Sequence, residues 1–312
     1  MRAVAFVLTA AVALCASDAA AQSPRLTTQT ANEVNVSASG YNYTEPDGLA
    51  ISIHGPKIGG EYIGTKVIDP RRQWFVQASF RGQTGHTTYD GWCSPFLIVP
   101  NGNSPNGWAL DLGDAQPCSE SGDPDWYLET RGMIGKDFTG SSVVWAPYSG
   151  LGYRYLSNGL VGIPGYRIQQ YLYLPLGITA RFQVGSHGVL SLNAEYDQLL
   201  HGWNTTYDSY FGSGDIPATP TAPAFTLNGF TDVSFDQHSG FAFRAGAKYQ
   251  MTSHISLEPY YIRWHVSDSN TNGEIATYTV NGITAQAQFL AYEPRNVTNE
   301  FGVKLGIRFG RN

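Results

Sequence analysis

Hydrophobic and polar residues alternate along much of this chain, and a period of two is the signature of a β-strand. In the last such segment Phe301, Val303, Leu305, Ile307 and Phe309 share one face, while Gly302, Lys304, Gly306 and Arg308 share the other. From Ile168 to Phe182, Ile168, Leu172, Leu174, Leu176, Ile178, Ala180 and Phe182 oppose Gln169, Tyr171, Tyr173, Pro175, Gly177, Thr179 and Arg181. That run exceeds the usual strand of a soluble protein and is long enough to cross a bilayer at a tilt. Trp74 to Gln83, Leu190 to Asp197 and Phe241 to Gln250 repeat the pattern cleanly. Trp126 to Ile134, Trp145 to Arg154 and Ile255 to Tyr261 fit less cleanly, and Val34 to Tyr43 and Ile58 to Ile68 alternate least well. About ten strands are predicted.

The connections between these segments sort by length. Asp69 to Gln73, Asp137 to Ser142, Gln183 to Gly188 and Gln250 to His254 are short. They alternate with mostly longer ones: Gly85 to Asp125, Ser157 to Tyr166, Trp203 to Ser239 and Val266 to Asn299. A soluble sandwich could carry the same alternation with its polar face in water. It has no reason to put short turns at one end and long loops at the other, which is the habit of transmembrane barrels. The predicted fold is all-β: a ten-stranded antiparallel transmembrane β-barrel with short periplasmic turns and long extracellular loops. An even strand number places both termini on the periplasmic side.

Composition agrees with that architecture. Charged residues make up 14% of the chain and aromatics 13%, with 35 glycines and 19 tyrosines. A net charge of −6 gives no basis for nucleic-acid binding. The first residues read as a secretory signal: Arg2, an apolar core from Ala3 to Ala16, and small residues leading to cleavage near Ala21. Leu14-Cys15 is a poor lipoprotein box, so Cys15 is expected to leave with the signal. The expected organisation is a signal peptide over 1–21, a short segment over 22–32 and the barrel over 33–312, in the bacterial outer membrane. Two cysteines remain, Cys93 and Cys118, and in an exported chain such a pair suggests a disulfide. They lack the close histidines that a tetrahedral metal site needs, and no cofactor is expected.

On the inward faces the sequence places Arg81, Glu129, Arg131, Arg154, Arg181, Glu195, Asp197, Arg244, Lys248, Glu258, Lys304 and Arg308. Ten strands enclose little free volume. The reading adopted is a lumen filled by ion pairs, since buried charges need partners. A narrow cation-lined anion pore is the alternative.

The order of elements resembles the omptins, a family of ten-stranded outer-membrane endopeptidases. The resemblance spans most of the mature chain and is best from Gly165 to Val266. It is carried by Gly165-Tyr-Arg-Ile-Gln-Gln-Tyr-Leu-Tyr-Leu-Pro-Leu-Gly177, by His201-Gly-Trp203 and by the turn and strand Lys248 to Glu258. The resemblance implies an Asp-x-Asp pair in one loop and an Asp-x-His pair across the cleft, together activating water. Histidine suits that role because it titrates near operating pH. Here the matching positions are Tyr89-Asp90-Gly91-Trp92 and Asp208-Ser209-Tyr210, so Asp90 and Asp208 are the candidate catalytic residues. Each pair is incomplete, and Tyr210 stands where the base should be. Tyrosine is a poor base at neutral pH. Asp236-Gln237-His238 has Asp-x-His spacing but lies at the far end of its loop, where a solvated histidine is the plainer reading.

The family resemblance also implies lipopolysaccharide contact through outward basic residues, for which Arg263 is the candidate. The superfamily includes adhesins without enzymatic activity. The expected role is therefore structural or surface-binding through the long loops, with an omptin-like endopeptidase of rearranged site as runner-up and a narrow pore third. Outer-membrane lipid is the expected surrounding, and a monomer the expected state. Phe96-Leu-Ile-Val-Pro100, inside the disulfide loop, is expected to pack on neighbouring loops.

Overall fold

The computed structural model describes residues 26–47, 50–159, 166–185 and 188–310. The expected signal peptide, its cleavage site and Cys15 lie outside the described residues. Ten long strands build a barrel: β1 (Ala31–Glu45), β2 (Ile51–Asp69), β3 (Trp74–Cys93), β4 (Gln116–Lys136), β5 (Val143–Gly159), β6 (Tyr166–Val184), β7 (Gly188–Thr206), β8 (Gly240–Gln250), β9 (Ile255–Val266) and β10 (Asn296–Phe309). Each pairs antiparallel with its neighbours in sequence, and β10 closes on β1 from Asn32↔Phe309 to Thr44↔Val297. Closure leaves the barrel with no free edge. Every predicted strand is present. The first begins at Ala31, two positions before the expected boundary, and β3 and β4 run well past their predicted ends.

The barrel wall is apolar outside. Val36, Ile58, Phe80, Leu128, Leu151, Leu176, Leu192, Phe243, Phe301 and Val303 are all exposed. Aromatic residues flank this band. Trp74, Phe138, Trp145 and Phe309 stand near the short-turn end. Trp126 stacked on Tyr155, Trp203 and Phe241 stand toward the other. A closed wall of this kind matches hydrocarbon bordered by two interfaces rather than water.

The lumen is packed with charge. Arg244 bonds Glu129 through both terminal nitrogens and Asp197 at 2.6 Å. Arg131 and the Tyr148 hydroxyl both donate to Glu195. Arg81, Tyr127 and Tyr260 converge on Glu300 at 2.5–2.9 Å. Lys304 bridges to Glu61 at 2.8 Å, while Lys57 pairs with Asp125 and Lys248 with Glu33. Glycines make room for the large rings. A Cβ on Gly152 would stand 2.2 Å from the Tyr173 ring, and one on Gly177 2.3 Å from that of Tyr148.

This network corrects the excess of inward cations read from the sequence. The structure adds the inward carboxylates Glu33, Glu61, Asp125 and Glu300. Two of them sit on β1 and β2, where alternation was weakest, and the other two lie in strand extensions beyond the predicted ends. With them in place the lumen is nearly neutral, and the observation behind a cation-lined pore disappears. At the short-turn end the segment before β1 also folds into the mouth. Thr28 donates to the Asp137 carboxylate, and Arg181 donates both to that carboxylate and to the Leu26 carbonyl. Beside it lies a polar cavity of about 220 Å³ lined by Glu33, Arg181, Lys248, Glu258 and Arg308 among others.

Candidate functional site

The long connections are not irregular coils. Phe96–Pro100 pairs with Trp108–Leu112 as a hairpin. Four further strands form an antiparallel sheet in the order Gly214–Ile216, Phe225–Phe230, Asn272–Val280 and Ile283–Ala291. The last two are joined by Asn281-Gly282, both with positive φ (50° and 79°), as a tight two-residue hairpin requires. Hairpin and sheet share one apolar core of Ile98, Leu110, Phe225, Leu227, Ala276, Tyr278, Val280 and Ala285. Tyr278 donates to the Trp108 carbonyl at 2.7 Å across the contact. The expected packing of Phe96 to Pro100 on other loops is therefore present. A disulfide joins Cys93 to Cys118 at the root of the hairpin's connection, as expected. These segments make a folded cap at the long-loop end of the barrel.

Where the loops meet the lumen, buried polar groups gather around Glu293. The Tyr43 hydroxyl lies 2.8 Å from both Glu293 and Glu45, with one proton to share between them, and Gln169 donates to Glu293 at 3.2 Å. Arg167 stands 3.3 Å from Glu45 and 3.6 Å from Glu293. Burial pushes the Glu293 carboxyl up to about 7, against the pull of Arg167 and with the help of Glu45. One arginine serves two carboxylates, so the Glu293 carboxyl is not fully compensated and its proton is held more tightly.

The two candidate catalytic aspartates occupy different environments. Asp90 is half-exposed on the outer wall near the end of β3, 3.7 Å from His54. Asp208 is buried in a short 3-10 turn, Asp208–Phe211, against the cap. Its carboxyl hydrogen-bonds Glu274 of the cap sheet. Burial raises both, and the Asp208 charge helps lift Glu274 to about 8. Each holds its proton more tightly because adjacent buried carboxylates resist double ionisation. Among the described residues no hydrogen bond or ion pair links Asp90 with Asp208.

His238 is exposed at its loop end, as expected, and the Asp-x-His spacing does not form a pair. Asp236 pairs with His201 Nε2 at 3.0 Å, across strands, and not with its sequence neighbour His238. The His201 ring lies 4.9 Å from His238 and 4.3 Å from Trp203. A carboxylate-oriented imidazole is the element of general-base chemistry. This one faces outward at the rim of the wall, and no group of three or more metal-ligating side chains forms a metal site among the described residues. The sequence marks His201 only as part of a strand ending, because the short strand that brings Asp236 beside it, Val233–Gln237 paired antiparallel with Gly202–Thr206, is not local. Arg263 is exposed on the outer wall as expected, with its guanidinium 3.5 Å from Asn299 Oδ1.

No family model matches the chain, and no curated protein matches it. Among solved structures, the outer membrane protease OmpT of Escherichia coli is similar over 93% of this chain and all of its own, at 9% identity and a TM-score of 0.48. The transport unit of the autotransporter AIDA-I of Escherichia coli aligns over 98% of this chain and 97% of its own, at 10% identity and 0.40. Ail, the attachment invasion locus protein of Yersinia pestis, aligns over 90% of this chain and all of its own, at 9% identity and 0.29. None of the three reaches a TM-score of 0.5, and the ten-stranded closed barrel follows from the strand ladder alone.

Proposed function

We propose that this chain is an outer-membrane barrel that displays a folded β-cap for surface binding, without catalytic turnover. The observation that carries the reading is the cap itself: loops from several connections fold on one apolar core above a lumen filled by ion pairs. A filled lumen does not favour conduction. Asp90 and Asp208 belong to separate clusters, which does not favour the paired-carboxylate chemistry of an endopeptidase. Arg263 at the outer wall suits a phosphate-bearing outer leaflet, because a guanidinium binds phosphate oxygens in a forked geometry.

The test is a comparison of cells displaying the full chain with cells displaying a chain whose hairpin over 95–113 is replaced by a short Gly-Ser link. Adhesion to abiotic and matrix-coated surfaces should fall with the cap, while the barrel still folds. Equal adhesion of both would overturn the reading. Cleavage of a dibasic fluorogenic peptide by refolded protein, lost in Asp90→Asn and Asp208→Asn, would instead establish the endopeptidase. Steady single-channel current in planar bilayers would establish the pore.

A further inference from the structure

The cap sheet ends differently on its two sides. One edge is Gly214–Ile216, only three residues long. The other is Ile283–Ala291, nine residues long, paired along one side with Asn272–Val280. Its register runs without a bulge from Asn272↔Ala291 to Val280↔Ile283. Among the described residues no backbone hydrogen bond joins its far side to another segment. The Asn106 side chain reaches only the Ile283 carbonyl, at 3.4 Å, at one end.

Exposed edges of this length are usually blunted by lysine, proline, a bulge or short extent, because unpaired N–H and C=O groups template another strand. Ile283-Thr-Ala-Gln-Ala-Gln-Phe-Leu-Ala291 carries no charge, no proline and no glycine. Thr284, Gln286, Gln288 and Leu290 are exposed, Leu290 at 76%. The short edge on the opposite side needs no such protection, so the contrast lies within one sheet.

We propose that Ile283–Ala291 pairs antiparallel with the same strand of a second copy, about a twofold axis at Ala287. Side-chain chemistry favours this occupant. In that register Gln286 meets Gln288 of the other copy, and two amides can bond each other without a buried charge. Ala285 meets Phe289 and Ala287 meets Ala287, so small residues face the large ring and each other. The outer face likewise puts Thr284 beside Leu290. No like charges are opposed anywhere along the strand, although the chain as a whole carries −6. A twofold pairing uses one patch on both copies and closes without growing into a fibre. This departs from the expected monomer, because the strand lies within the long connection Val266 to Asn299. The inference needs only the free edge and not the adhesion reading, so either can fail alone.

The experiment is sedimentation velocity on the refolded full barrel in detergent. The unmodified chain should be dimeric. Gln286→Lys/Gln288→Lys should be monomeric, because it opposes lysines at two positions, and Gln286→Glu/Gln288→Glu should be monomeric for the same reason. Mixing the two should restore a one-to-one dimer. Ala287→Cys should give a disulfide-linked dimer on oxidation, while Thr284→Cys, far from its own counterpart in this register, should not. Unchanged heat-modifiable gel mobility confirms that each barrel is folded. A monomeric unmodified chain, a dimer that survives the double-lysine change, or equal cross-linking at 284 and 287 would overturn the proposal.

Discussion

Barrel and cap are built from the same alternating strands and are inside out with respect to each other. In the barrel the apolar face looks outward and the charged face inward, as with exposed Phe301 and buried Glu300. In the cap Leu227 and Tyr278 are fully buried, while polar Thr284 and Gln286 are exposed. The difference follows from what surrounds each. Hydrocarbon outside the wall accepts leucine and rejects charge, so the charges collect in the lumen and pair there. Water around the cap reverses the preference, and the apolar faces of hairpin and sheet cover each other. Closure also separates the two regions, since the barrel ladder closes on itself while the cap sheet is open, with Gly214–Ile216 and Ile283–Ala291 at its edges.

The comparison can be broken most severely at Arg244. Arg244→Ala would leave Glu129, Asp197 and Glu195 in the lumen without their shared cation. Breaking a buried ion pair from one side costs about 3–5 kcal/mol, and urea unfolding in lipid vesicles should read that loss for the whole barrel. In the cap the corresponding weak point is apolar. Leu227→Ala should cost roughly 2–5 kcal/mol through lost burial and the cavity left behind. Hydrogen exchange should show the loss in the cap strands alone, with barrel amides still protected. If the barrel loosens as well, the two regions are one cooperative unit.

Leu151→Arg tests the outward sign of the wall. Leu151 is 56% exposed at the middle of β5. An arginine near the bilayer midplane costs about 2–4 kcal/mol in a barrel. An exposed position of a water-facing wall would lose less than about 0.5 kcal/mol, so the same vesicle unfolding assay separates lipid from water. The smallest expected effect is a pH dependence of the cap. Glu274 is lifted to about 8 in the folded state by burial and by Asp208. The folded cap therefore holds more protons than the unfolded chain between the ordinary carboxylate range and about pH 8. Its stability should fall as pH rises through that window. Glu274→Gln should flatten the slope when cap opening is followed by hydrogen exchange from pH 5 to 8.5.

Much of the barrel was legible because its information is local. Strong alternation from Ile168 to Phe182 gives strand, length and faces without knowledge of any partner. The weak segments show the limit. β2 contains Gly55, Gly59, Gly60 and Gly64, which give no side chain by which to assign a face. Glu61 consequently escapes the inward set, and Lys57 lies one position before the predicted segment. The cap was missed for a different reason. Asn281-Gly282 between Val280 and Ile283 is a strong hairpin signal, and alternation through Ala276, Tyr278 and Val280 accompanies it. The partners of that hairpin come from other connections, so the sheet could not be assembled from any one stretch.

Alternation, turn chemistry and the cysteine count determine, from the sequence alone, the number of barrel strands, the faces of the strongly alternating ones, the division into short turns and long connections, and the disulfide partners. Each depends on residues within a few positions of one another, or on a pair too few to have alternatives. The tertiary structure alone decided that Asp236 stands beside His201, that Asp208 stands beside Glu274 rather than facing Asp90, and that the long loops fold into a cap. Those contacts join segments far apart in the chain, and their register is set by packing across strands rather than by pattern within one.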